Sequence, residues 1–99
     1  GIIKKTRELI GDMPAYISVD VDGFDPAYAP GTGTPEIGGI IPREGIEFLR
    51  GLMGMNIIGA DVVEVAPMYD PTTNTSQLGA QLLFEEFCLI ATNLDNKRK

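Results

Sequence analysis

The chain has 99 residues, 43% hydrophobic and 22% charged, with a formal net charge of −6. That is the size and balance of one small globular domain, which excludes a multidomain organisation and a long disordered tail. Six of the eight basic residues lie at the two ends, so the body of the chain is strongly acidic, with only Arg43 and Arg50 against fourteen carboxylates. Such a surface repels phosphate backbones and attracts cations, which argues against a nucleic-acid partner.

In chain order, Ile2, Ile3, Leu9 and Ile10 stand a helical seven apart with charged residues between them, and Gly11 follows. This predicts a short amphipathic helix over 2–10. Residues 15–22 alternate, with Ile17, Val19 and Val21 against Tyr16, Ser18, Asp20 and Asp22. That period of two predicts a strand. Residues 23–39 are dense in Gly and Pro and are expected to be irregular. Pro42 suits the first position of a helix over 42–53, with Ile46, Leu49 and Met53 on its apolar face. Ile41 before it offers no side-chain acceptor, which forgoes on the order of 1 kcal/mol of capping. Residues 57–65 form a nearly continuous β-branched run, the pattern of a strand covered on both faces. A turn-rich stretch leads to a helix over 75–94, apolar around much of its circumference and so expecting cover from more than one neighbour.

Strand, helix, strand, helix is a βαβα unit whose crossover makes the strands parallel, so their carboxyl ends share one edge of the sheet. Ligands of open parallel sheets bind at that edge. Both strands end there in acids, Asp20 and Asp22 on the first and Glu64 on the second. The Asp-x-Asp spacing in extended backbone projects two carboxylates from one face, where either a divalent cation or an Asx-type bond to the following loop would relieve their repulsion. Glu64 ends an otherwise apolar strand, where a carboxylate calls for a cation, either a structural Arg or Lys or a ligand. Residues 31–35, GTGTP, lack the Lys and helix start of a phosphate loop, so they read as a rigid rim. Tyr69 and Asp70 fall on the same rim with no assigned role. Cys88 is the only cysteine. It excludes an internal disulfide and a thiolate metal cage, and in an apolar helix it reads as a small buried hydrophobe. No apolar run approaches the ~18 residues of a membrane span and no signal-peptide layout opens the chain, so a soluble, cytoplasmic protein is expected without membrane partners.

Residues 18–36, SVDVDGFDPAYAPGTGTPE, resemble a signature of the ureohydrolases, the arginase and agmatinase family. Residues 61–67, DVVEVAP, resemble that family's second landmark, and both forms resemble the agmatinase branch more than the arginases. The resemblance covers essentially the whole chain. It implies a three-layer α/β/α domain with a mainly parallel sheet, of which residues 1–99 supply a C-terminal βαβα portion. It further implies two Mn²⁺ ions, with Asp20 bridging them and Asp22 binding one. By the same resemblance Glu64 holds the guanidinium of the substrate, and Thr32 lies near the reacting carbon. The implied reaction hydrolyses a guanidino compound, agmatine or a guanidino acid such as guanidinobutyrate, to urea and an amine. Intact members are expected as trimers or hexamers.

The family also contributes metal-binding and proton-shuttling histidines, whereas this chain contains no His. Its 99 residues alone are therefore expected to be inactive, with the catalytic histidines supplied upstream. The rival reading is a non-catalytic homologue or fragment that acts as a binding or assembly module.

Overall fold

The computed structural model describes residues 1–98. Helix α1 (Ile2–Ile10) leads to strand β1 (Ala15–Asp20), helix α2 (Pro42–Arg50), strand β2 (Ile57–Val63) and helix α3 (Asn74–Lys97). The two strands pair in parallel, with Ser18 opposite Asp61, Val19 opposite Val62 and Asp20 opposite Val63. This is the expected α/β arrangement of a small parallel sheet with helices against it. No described helix is long and apolar enough to cross a membrane.

The core is one cluster. Leu49 of α2, Leu52 and Met55 after it, Ile57 of β2, and Leu78, Leu82 and Leu89 of α3 are buried together with Phe24. Ile17, Val19 and Val62 pack against it from one face of the sheet. The other face is open. There the Tyr16 hydroxyl and the Ser18 hydroxyl both donate to Asp61, at 2.8 and 2.6 Å, so the polar groups of adjacent strands satisfy one another. The double-sided cover expected for β2 is thus half present among the described residues, with Ile57 buried and Ile58 exposed.

Polar bonds fix the helices. Arg7 donates to the carbonyls of Gly51 and Met53, both at 3.0 Å, which ties α1 to the free carbonyls beyond α2. Arg50 of α2 makes a forked pair with Glu85 of α3, its shortest contact 2.6 Å. Asn93 donates to Asn56 and to the Ile57 carbonyl, both at 3.0 Å, and so fastens the far end of α3 to the start of β2.

Each element is present where periodicity places it, but the ends move. α2 stops at Arg50, and residues 51–54 continue as turns. α3 is longer at both ends than 75–94. Its all-round apolar character is visible as exposed Leu83, Phe84, Phe87 and Leu94 on the side away from the core. Cys88 is free and half-buried rather than fully enclosed, because it flanks the packed stripe of α3 instead of lying on it.

Candidate active site at the carboxyl edge of the sheet

β1 ends at Asp20, two residues earlier than alternation predicts, and Val21–Gly23 form a single 3-10 turn. The cause is local: Asp20 Oδ1 accepts the Asp22 amide at 3.0 Å, a bond that competes with further strand pairing. The premise of two carboxylates on one extended face is therefore corrected. They sit instead at the two sides of a tight turn, with Val21 pointing into the interior and fully buried. Asp20 is exposed and Asp22 half-buried. Asp22 Oδ2 accepts the Thr34 hydroxyl at 2.7 Å. Asp22, Gly23, Thr34 and Glu36 help to line an open cleft of about 350 Å³.

The remaining oxygen of each aspartate makes no hydrogen bond to the described residues. Two free carboxylate oxygens on one turn suit a hard divalent cation. They are only part of a site, since no group of three or more His, Cys, Asp or Glu converges among the described residues. Asp20 and Asp22 therefore fit as part of a shared cage and do not form one themselves.

Glu64 follows directly on Val63, the register partner of Asp20. The strand predicted through Val65 ends at Val63, because Glu64 adopts φ 68, in the left-handed region, the one non-glycine residue described there. A non-glycine residue in this region is held against a cost of about 1–3 kcal/mol, which surrounding structure must supply. Its side chain is exposed and makes neither a hydrogen bond nor an ion pair with the described residues. The structural salt bridge thus finds no partner here.

The loop after β1 is ordered mainly by its own polar groups. Asp25 accepts the amides of Ala27 and Gly38, at 2.9 and 3.0 Å, and these bonds hold its carboxyl below the usual range. Phe24 bridges Ile40 in parallel, and the backbones approach so closely that a Cβ on Gly39 would lie 2.6 Å from the Gly23 carbonyl oxygen. Thr32 is buried, and its hydroxyl has no partner among the described residues. The loop after β2 is ordered by Asp70, which accepts the Thr72 amide and hydroxyl at 2.8 Å each and the Thr75 amide at 2.9 Å. These bonds, that of Thr75 foremost, bring the Asp70 carboxyl down to about 2.

The structure thus gathers Asp20, Asp22 and Glu64 at one edge, with Thr32 in the loop beyond. Sequence reasoning placed Asp25 in the rigid loop and Asp70 on the rim without giving either carboxylate a role, and it passed over the Thr75 hydroxyl. The available signal was an acid followed by Pro and small polar residues, the composition of Asx turns and helix starts.

The comparisons with known proteins agree with this architecture. The Arginase family model matches residues 1–88. The mitochondrial agmatinase of Gallus gallus is 56% identical over 89 residues, covering 90% of this chain and 26% of that protein. The guanidinobutyrase of Pseudomonas aeruginosa is 53% identical over 89 residues, covering 90% of this chain and 28% of that protein. A solved structure described as a hypothetical agmatinase from Burkholderia thailandensis superposes with a TM-score of 0.91 at 41% identity, covering 96% of this chain and 30% of that one. A mixed α/β unit with acids at the carboxyl edge of a parallel sheet, matched along this length, defines the class: a ureohydrolase-like protein. The chain belongs to the arginase family, on its agmatinase-like branch. It spans about a quarter of the length of the curated relatives it matches.

Proposed function

We propose that residues 1–99 are the C-terminal part of a dimanganese ureohydrolase that hydrolyses agmatine, or a closely related guanidino compound, to urea and an amine. The observation that carries this reading is the meeting of Asp20, Asp22 and Glu64 at the ends of two paired parallel strands. In this proposal the free oxygens of Asp20 and Asp22 would hold the metals, with Asp20 serving the pair and Asp22 one of them. When bound, two Mn²⁺ ions supply a nucleophilic water at neutral pH. Glu64, exposed and without a partner among the described residues, is free to accept charge-assisted hydrogen bonds from a planar guanidinium and so orient its carbon. Thr32 adds a hydroxyl that is not committed elsewhere among the described residues. Histidines from the rest of the protein would complete the metal cage and move the proton to the departing amine. Trimeric or hexameric assembly of the intact, cytoplasmic protein belongs to the same proposal.

A second substrate reading has support of its own. The similarity to a guanidinobutyrase is nearly as high as that to an agmatinase, at 53% against 56% identity. Agmatine ends in an amine and guanidinobutyrate in a carboxylate, so the two differ at the end away from the guanidinium that Glu64 would hold.

Urea release by the full-length protein from agmatine, guanidinobutyrate and arginine tests the function and ranks the substrates. Glu64→Gln keeps the side-chain shape and removes one charge from the pair that Glu64 would form with a bound guanidinium, which costs about 2–5 kcal/mol, or roughly one and a half to three and a half decades in kcat/KM. Manganese content and melting temperature are expected to stay unchanged. A destabilised protein with full activity per folded molecule would overturn the role given to Glu64.

A further inference from the structure

We infer that Asp70 and Thr75 are positioning residues that clasp the two site loops together at Gly31 and thereby hold Thr32 and Glu64 in register with each other. The inference rests on the proposed guanidinium site and goes beyond it, since neither residue touches substrate in that reading.

Thr75 lies in the first turn of α3 and is fully buried. Its hydroxyl accepts the Gly31 amide at 2.8 Å, while its own amide donates to Asp70 Oδ2 at 2.9 Å. Gly31 in turn accepts the Ala66 amide at 2.6 Å through its carbonyl. Among the described residues, the hydrogen bonds that join the loop after β1 to the segment after β2 and to the start of α3 therefore converge on one residue. Gly31 directly precedes Thr32, and Ala66 stands two residues beyond Glu64.

Packing leaves the node no freedom. A Cβ on Gly31 would lie 2.9 Å from Asp70 Cβ and 3.0 Å from Thr75 Cβ, so the glycine backbone is seated directly against the pair. The need for such a device is visible at Glu64, whose left-handed backbone persists only while its surroundings over-determine it. Asp70 stays ionised across the neutral range, so its three acceptor bonds do not lapse near pH 7. A cap serving only α3 would satisfy helix amides; this one also spends the Thr75 hydroxyl on a loop amide across the site.

The test is Thr75→Val in the full-length protein, which keeps the branched shape and removes the acceptor. The expected result is kcat for agmatine or guanidinobutyrate down by about tenfold or more and KM up by about tenfold, because small misplacements of binding groups are costly in rate. Manganese content should be unchanged, and Thr75→Ser should restore both constants to within about threefold of the parent. Should Thr75→Val fail to fold, Asp70→Asn, which removes one acceptor oxygen, decides by the same two constants. A lowered melting temperature with kcat and KM intact per folded molecule would overturn the clasp, as would Thr75→Ser being as impaired as Thr75→Val. Glu64→Gln run alongside separates the two levels. If it loses activity while the clasp variants do not, the clasp alone fails; if it keeps full activity, the guanidinium reading fails and the clasp with it.

Discussion

The two connections that leave the sheet at its carboxyl edge are built differently. The one from β1 to α2 closes where backbone meets backbone, with Asp25 donating its amide to the Ile40 carbonyl at 2.9 Å and Ile40 donating to the Gly23 carbonyl at 3.0 Å, while the Asp25 carboxylate orders the loop inside that closure. The one from β2 to α3 closes on side chains, with Asp70 and Thr75 supplying four acceptor bonds. The starts of the helices follow suit. α2 begins with a proline and an Ile41 that has no side-chain acceptor, while at the start of α3 the Thr75 amide is met from outside by Asp70 and the Asn74 amide by the Thr72 hydroxyl. A backbone closure tolerates little change at the position where the two backbones meet. A side-chain closure can be adjusted residue by residue, and it is the one that adjoins Thr32 and Glu64.

The sharpest way to break the backbone closure is Gly39→Ala. The added methyl would meet the Gly23 carbonyl oxygen at 2.6 Å and the Asp25 amide nitrogen at 2.8 Å, and neither can swing aside as a flexible side chain would. Overpacking of this kind typically costs 1–3 kcal/mol, and with backbone on both sides the expectation is about 3 kcal/mol. Chemical denaturation of the full-length protein measures it. A loss below about 1 kcal/mol would mean that the loop can open without disturbing the rest.

The contrast also explains what was legible in the sequence. Ile17 and Val19, and Leu78 and Leu82, announce their elements by period, because one face of each is buried and the pattern is a direct record of burial. The acids Asp20, Asp22 and Glu64 were readable as a candidate site because parallel strands bring their carboxyl ends together. The strand ends were not, since they depend on a single Asp20 side-chain bond and on the left-handed φ of Glu64, neither of which has a periodic signature. The clasp was unreadable for a related reason. It joins Gly31 to Thr75 across 44 positions, and nothing in local composition links the two.

A second difference lies on α3, where adjacent glutamates are both buried yet oppositely treated. Glu85 is paired with Arg50, which holds its carboxyl below the usual range. Glu86 is 1% exposed, has no partner for either oxygen among the described residues, and is pushed by burial up to about 7. Below the ordinary value of 4.5, Glu86 is protonated in both folded and unfolded chains and its burial carries no charge. As pH rises from there toward 7, the folded state retains a proton that the unfolded state releases, so stability falls and stays reduced above that range. Glu86→Met keeps the volume and removes the acid. The expected gain is about 1–2 kcal/mol at pH 8 and close to none at pH 4. Melting curves of the full-length protein at the two pH values check it, and a variant destabilised at pH 8 would reveal a cationic partner for Glu86 outside residues 1–98.

The smallest expected effect concerns the start of α2, where the comparison can be reversed by giving the backbone closure the polar cap that α3 already enjoys. Glu44 Oε1 accepts the Ile41 amide at 3.1 Å, so half of a reciprocal capping arrangement exists. Ile41 sits at φ −92 and ψ 157, the extended backbone that a capping residue uses, but its side chain has nothing to offer the free amides of the first turn. Ile41→Ser would supply the missing acceptor without moving the chain. Capping is worth about 1 kcal/mol, and part of it is offset because Ile41, 38% exposed, gives up some buried apolar surface. The net expectation is a gain of about 0.5 kcal/mol, read as a slightly raised melting temperature with unchanged kcat/KM, since α2 carries none of the proposed site residues. A lowered melting temperature would show that the Ile41 side chain contributes more to closing the first loop than its missing cap costs the helix, and the backbone closure would then depend on an apolar side chain as well.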